Sequence, residues 1–98
     1  MENFNELIQS SRLVLIEFYA EWCMPCKMMK PRILEVSERM GNEAQIVQID
    51  IDKEKEIASH FRIQSVPTLI ILKKGKQLWR QSGIISTNAL IKLLKEYQ

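Results

Sequence analysis

Ninety-eight residues, 46% of them hydrophobic and 27% charged, make one small globular domain able to bury a core, and exclude a disordered chain, a collagen-like repeat and a second domain. Fourteen basic against twelve acidic groups leave a net charge of +2, too small to draw the chain onto nucleic acid or anionic lipid. No apolar run approaches the ~20 residues that span a bilayer, and the opening Met-Glu-Asn-Phe-Asn has neither the basic nor the apolar stretch of a secretory signal.

Phe4, Leu7 and Ile8 at i, i+3 and i+4 predict a short first helix, with Asn3 as its cap. Residues 13–20 are apolar apart from Glu17 and read as a strand buried on both faces. Met24–Met40 is helical, with Met28, Met29, Ile33, Val36 and Met40 on one apolar side, Gly41 as its stop and Pro31 expected to kink it. In residues 46–51, Val47, Ile49 and Ile51 alternate with Gln48 and Asp50, which marks a second strand. A short helix over residues 54–61 uses Ile57, Ala58 and Phe61. Residues 68–72 and 77–81 are two further strands, joined by a turn in which Gly75 supplies the positive φ. The last helix starts at Ser86 or Thr87 and carries Leu90, Leu93, Leu94 and Tyr97 on one face. A strand–helix–strand unit forces a parallel pair and a hairpin an antiparallel one. The expected fold class is therefore α/β, one domain over residues 1–98 with a central mixed sheet flanked by helices on both faces.

Charge is unevenly spread, net −4 over residues 1–59 and net +6 over residues 60–98, which fits solvated lysines and arginines on the later hairpin and helix.

The chemistry gathers at Trp22-Cys23-Met24-Pro25-Cys26-Lys27, where the first strand hands over to the long helix. A disulfide across two intervening residues removes little chain entropy, so stapling is a poor reason for this spacing. Zinc would want four ligands, and the sequence offers no second cysteine pair and a single histidine, His60, which is read as a surface or half-buried packing residue near Phe61. A redox pair suits the spacing best. Cys23 falls at the helix N-cap, where free amides and the positive dipole end favour a thiolate, and Cys26 lies one turn on along the same side. Cys23 is thus the expected nucleophile. Cys26, expected to be the deeper and less exposed thiol, resolves the mixed disulfide. Pro25 suits the first helical positions, where its missing N–H is not needed. Trp79 is expected to pack against the sheet, and Glu21, Lys27 and Arg32 to be solvated. The absence of a glycine-rich phosphate loop argues against a nucleotide or flavin bound by this chain.

The run Phe18 to Lys27, followed by Pro31, Val66-Pro67-Thr68, Gly75 and Gly83, resembles the thioredoxin family over nearly the whole chain. The resemblance implies the thioredoxin fold and a cis peptide before Pro67. It further implies a substrate groove around Cys23 made by Trp22, Val66, Pro67, Gly83 and Ile84, with Met24 and Pro25 on its rim. The activity it implies is reduction of protein disulfides. Electrons would come from an external thioredoxin-reductase-like donor with no cofactor bound, and the protein would work as a monomer on disulfide-containing proteins, without nucleic acid or membrane. The expected location is the cytoplasm, or the periplasm or exterior if a signal has been removed.

Departures from the family pattern are equally specific. Met24 replaces a glycine, Tyr19 a tryptophan, and Glu17 the usual buried aspartate, while Gln48 stands where a lysine usually faces that acid. Glu17, in the proton acceptor and donor role that the resemblance gives it, would serve Cys26 with a raised pKa. The family's first strand is missing, so four strands are expected with residues 45–51 on an edge, a fifth N-terminal strand being the alternative. Other readings of the same residues are a disulfide-forming or isomerising oxidant, a Cu(I) site built from Cys23, Met24, Cys26, Met28 and Met29, and a redox-silent binding module.

Overall fold

The computed structural model describes residues 3–98. In chain order the elements are α1 (Phe4–Ile8), β1 (Leu13–Tyr19), α2 (Met24–Met40), a 3-10 turn (Gly41–Glu43), β2 (Ala44–Asp50), α3 (Lys55–His60), β3 (Thr68–Lys73), β4 (Lys76–Ser82) and α4 (Thr87–Glu96). Four strands form one sheet in the order β2-β1-β3-β4, with β2 on an edge as expected. β1 pairs parallel with β2 and antiparallel with β3, and β3 pairs antiparallel with β4.

The central strands β1 and β3 are buried on both sides, and alternation assigns each residue to a layer. Leu13, Leu15, Leu69 and Ile71 pack with Met29, Ile33 and Val36 of α2 and with Leu90 and Leu94 of α4. Val14, Ile16, Phe18, Ile70 and Leu72 pack on the opposite face with Phe4 and Ile8 of α1, and with Ile57 and Phe61. By the same parity Glu17 falls on the α2 side of β1. That placement decides its chemistry.

Local signals hold the long helix where the sequence predicts it. Cys23 is extended at the N-cap, proline occupies the first turn, and Gly41 closes the helix at φ 53°. α2 continues as one helix through Pro31 to Met40. In the β3–β4 hairpin the two-residue link Lys74-Gly75 has both φ values positive, 52° and 77°, as a tight turn matched to strand twist requires. Ser86 caps α4 by accepting from the Ala89 amide at 3.1 Å.

Several expectations change. Asn3 precedes α1 but is left-handed and makes no side-chain cap bond. Met28 points outward, because it lies one residue, about 100° of helix rotation, from fully buried Met29. Arg32 is tied rather than solvated: its guanidinium donates to the Ile85 carbonyl at 3.1 Å, joining α2 to the segment before α4. Asp50 is buried, its carboxylate accepting from the Asp52 amide at 2.9 Å. Two readings are unchanged: His60 lies at the surface with its ring edge-on to Phe61, and Trp79 packs half-buried against the α2–α4 layer.

Candidate active site

β1 ends at Tyr19, and after three intervening residues the chain turns into α2 with Cys23 at its N-cap. The Cα atoms of Cys23 and Cys26 are 5.2 Å apart and the two sulfurs are joined as a disulfide. Ala20 packs with both cysteines, and Tyr19, Ile51 and Val66 close over this small cluster. The Cys26 amide donates to the Cys23 sulfur at 3.1 Å. A backbone N–H aimed at Sγ at the positive end of a helix favours negative charge on that sulfur once the disulfide is reduced.

Residue exposure does not separate the two cysteines as expected, at 4% for Cys23 and 5% for Cys26. Their surroundings separate them instead. The Cys23 sulfur lies 3.6 Å from the Val66 carbonyl oxygen, at the loop that carries the cis Val66–Pro67 bond. Cys26 lines a half-open hollow of about 400 Å³ together with buried Glu17 and with Gln48, Tyr19, Lys27 and Lys30, of which the two lysines and Gln48 are exposed. One cysteine therefore faces the loop surface, and the other a pocket containing an acid.

Glu17 is fully buried. Its Oε1 accepts from the Gln48 side-chain amide at 2.9 Å, and its Oε2, also buried, has no hydrogen-bond partner among the described residues. Burial raises its pKa above the ordinary 4.5, against the smaller opposite pull of the Gln48 hydrogen bond. Gln48 does face the acid, and as an amide it brings no positive charge.

Of the remaining residues expected in the groove, two are joined by a backbone bond. Gly83, at φ 98°, donates its amide to the Pro67 carbonyl at 2.9 Å, which sets the chain leading to Ile84 against the cis-proline loop. Pro67 itself is buried and Val66 half-buried. Trp22 and Met24 are 68% and 67% exposed, and Pro25 and Ile84 are also exposed, so an apolar rim borders the nearly buried Cys23. The sequence reading missed the support of Trp22, whose indole N–H donates to Asp52 Oδ2 at 2.8 Å. Partners thirty residues apart leave no periodic trace, and only the Asp50-Ile51-Asp52 run after a strand hinted at a polar turn there. The proposed sulfur cluster for Cu(I) is divided: Met29 is packed in the core, whereas Met24 and Met28 lie on the surface. Among the described residues no group of three or more histidine, cysteine or acidic side chains is placed to hold a metal.

Comparison with known proteins gives one consistent result. The family model described as Thioredoxin matches residues 1–96. The chain is 43% identical to chloroplastic thioredoxin Y of Oryza sativa over 94 residues, 95% of this chain and 56% of that longer protein. It is 42% identical to the thioredoxin of Chlamydia trachomatis over 97 residues, 99% of this chain and 93% of the relative. Among solved structures, a thioredoxin from Nicotiana alata superposes with a TM-score of 0.88 at 34% identity, covering 98% of this chain and 82% of that one.

Proposed function

We propose that this chain, which belongs to the thioredoxin family and is a thiol–disulfide oxidoreductase, reduces protein disulfides with Cys23 as the attacking thiolate and Cys26 as the resolving thiol. The observation that carries the assignment of roles is the sulfur environment. Cys23 Sγ receives the Cys26 amide at a helix N-cap and adjoins the Val66 carbonyl, while Cys26 shares its hollow with Glu17.

The reaction moves two electrons from the Cys23–Cys26 dithiol to the substrate disulfide, with four sulfurs taking part. The Cys23 thiolate attacks one sulfur of the substrate disulfide, forming a mixed disulfide and releasing the other sulfur as a thiolate. Cys26 then attacks Cys23 Sγ, closing the Cys23–Cys26 bond and releasing the second substrate thiolate. Its proton goes to the Glu17 carboxylate, directly or through water in the shared hollow. Trp22, Met24, Pro25 and Ile84 offer apolar contact to the substrate, and the backbone of Val66 and Pro67, held by Gly83, offers an extended edge for its chain.

Return to the dithiol takes two electrons from an external reductase, with no cofactor bound by this chain. The protein works as a monomer over one domain, residues 1–98, and a reducing direction suits a reducing compartment such as the cytoplasm. The test is trapping. Cys26→Ser should accumulate a covalent adduct with insulin through Cys23, seen by mass spectrometry, whereas Cys23→Ser should form none and reduce nothing. Adducts on Cys26 in the Cys23 variant would reverse the roles. A reduction potential, measured against glutathione, well above that of the cytosolic pool would reverse the direction.

A further inference from the structure

The loop that brings Val66 to Cys23 spans residues 62–67, between α3 and β3, and β4 touches it at successive points. Arg80 donates from Nη1 to the Phe61 carbonyl and from Nη2 to the Arg62 carbonyl, the latter at 3.0 Å. Thr68 Oγ1 donates to the Ser65 carbonyl at 2.7 Å and is in turn 2.8 Å from the Ser82 hydroxyl. Gly83 donates to the Pro67 carbonyl. The loop enters through Arg62 at φ 53°, a left-handed turn that fixes the direction in which the next residues leave α3. Arg80 grips that turning residue and the one before it.

We propose that Arg80 is a positioning residue for the substrate groove: its two-pronged hold on the Phe61 and Arg62 carbonyls sets the start of the loop, and through it the place of the Val66 backbone beside Cys23. A planar guanidinium suits this work, since its fork fixes two acceptors relative to each other where a lysine ammonium would fix one. Arg80 sits at the edge of the sheet and pairs in register with Ile70 of β3, which lies in the core layer shared with Phe61. The strand that anchors the loop thus leads directly into Gly83, the residue that holds Pro67 on the other side of the groove. One rigid hairpin sets both walls, so the spacing between them depends on β4.

Helix capping alone would predict something else. If Arg80 only terminates α3, its loss lowers stability and leaves every substrate equally well handled. A positioning role separates substrates instead. A small aromatic disulfide such as 5,5′-dithiobis(2-nitrobenzoate) needs only the Cys23 thiolate, whereas an extended protein segment also needs the Val66 backbone in register. The inference rests on the groove reading above, so the experiment carries its own control for that reading.

Steady-state reduction of insulin and of the small disulfide should be compared for wild type, Arg80→Ala, Arg80→Lys and Ile84→Ala at a temperature where all are folded. Arg80→Ala should raise KM for insulin roughly five-fold with kcat within about two-fold, well short of the ~100-fold that misplacing reacting groups by 1 Å can cost. Its rate with the small disulfide should be unchanged, and Arg80→Lys should recover part of the loss. An unchanged KM for insulin in Arg80→Ala, or an equal loss on both substrates, overturns the positioning role. If Ile84→Ala also leaves KM for insulin unchanged, it is the groove reading that has failed. Should Arg80→Ala fold poorly, Ser82→Ala, which removes the hydroxyl beside Thr68, is read in the same way.

Discussion

Glu17 is where a single residue sets the chemistry. The neutral Gln48 amide that hydrogen-bonds it compensates little for burial, so the folded protein holds the Glu17 proton more tightly than the unfolded chain does. The contribution to stability is then fully present below the unfolded value of about 4.5 and is lost as pH rises through the raised folded value. Glu17→Gln should accordingly stabilise the protein at neutral pH, by more at pH 8 than at pH 5, while slowing resolution of the mixed disulfide. Urea unfolding at the two pH values, with single-turnover release of reduced substrate, checks both halves. Equal stability change at both pH values together with an unaltered resolution rate would remove Glu17 from the reaction. Gln48→Lys should act in the opposite sense on the pKa, because a cation beside Oε1 favours the carboxylate. Its pH–rate profile for resolution should move toward lower pH.

Elements show how far a sequence can be read and where reading stops. The bounds of α2 agree with expectation because its signals are local: an N-cap cysteine, a proline in the first turn and a glycine at the end. Met28 is apolar and by pattern belongs to the core side, yet it is exposed while its neighbour Met29, about 100° round the helix, faces the sheet; apolarity alone does not say where the buried stripe ends, and on α4 the neighbours Leu90 and Ile91 both fall inside it. The bonds from Arg32 to Ile85, from Trp22 to Asp52 and from Arg80 to Phe61 escaped the reading for a different reason. Each joins a side-chain N–H donor to an acceptor 19 to 53 positions away, a backbone carbonyl in two of the three cases, and only the folded chain brings them within reach. The hairpin turn was legible, at Gly75. Replacing it with alanine places a Cβ at φ 77° and within 2.6 Å of the Gln9 side chain. Gln9 can swing aside, so the backbone dominates, and Gly75→Ala should cost about 1–2 kcal/mol. The measurement is the urea midpoint at an unchanged m-value, and a loss below a few tenths of a kcal/mol would mean that the turn relaxes into another form.

At the scale of the molecule, β1 and β3 bind the two apolar layers into one cooperative unit, because neighbouring residues on each strand serve opposite layers. The redox site lies where β1 ends, on the same strand that supplies Leu15 to one layer, Ile16 to the other and Glu17 to the hollow under Cys26. Leu15→Ala and Ile16→Ala should therefore each lower global stability by about 2–5 kcal/mol, although they empty different sides of the sheet. Leu34→Ala, at an exposed position on α2, should stay within about 0.5 kcal/mol of wild type. Unfolding followed by Trp22 and Trp79 fluorescence and by far-UV circular dichroism should give coincident transitions for both core variants. Divergent transitions in Ile16→Ala would show that the α1–α3 layer opens separately. The Phe61–Val66 loop, which springs from that layer, would then gain mobility without global unfolding, and substrate binding at Val66 would weaken before Cys23 lost its reactivity.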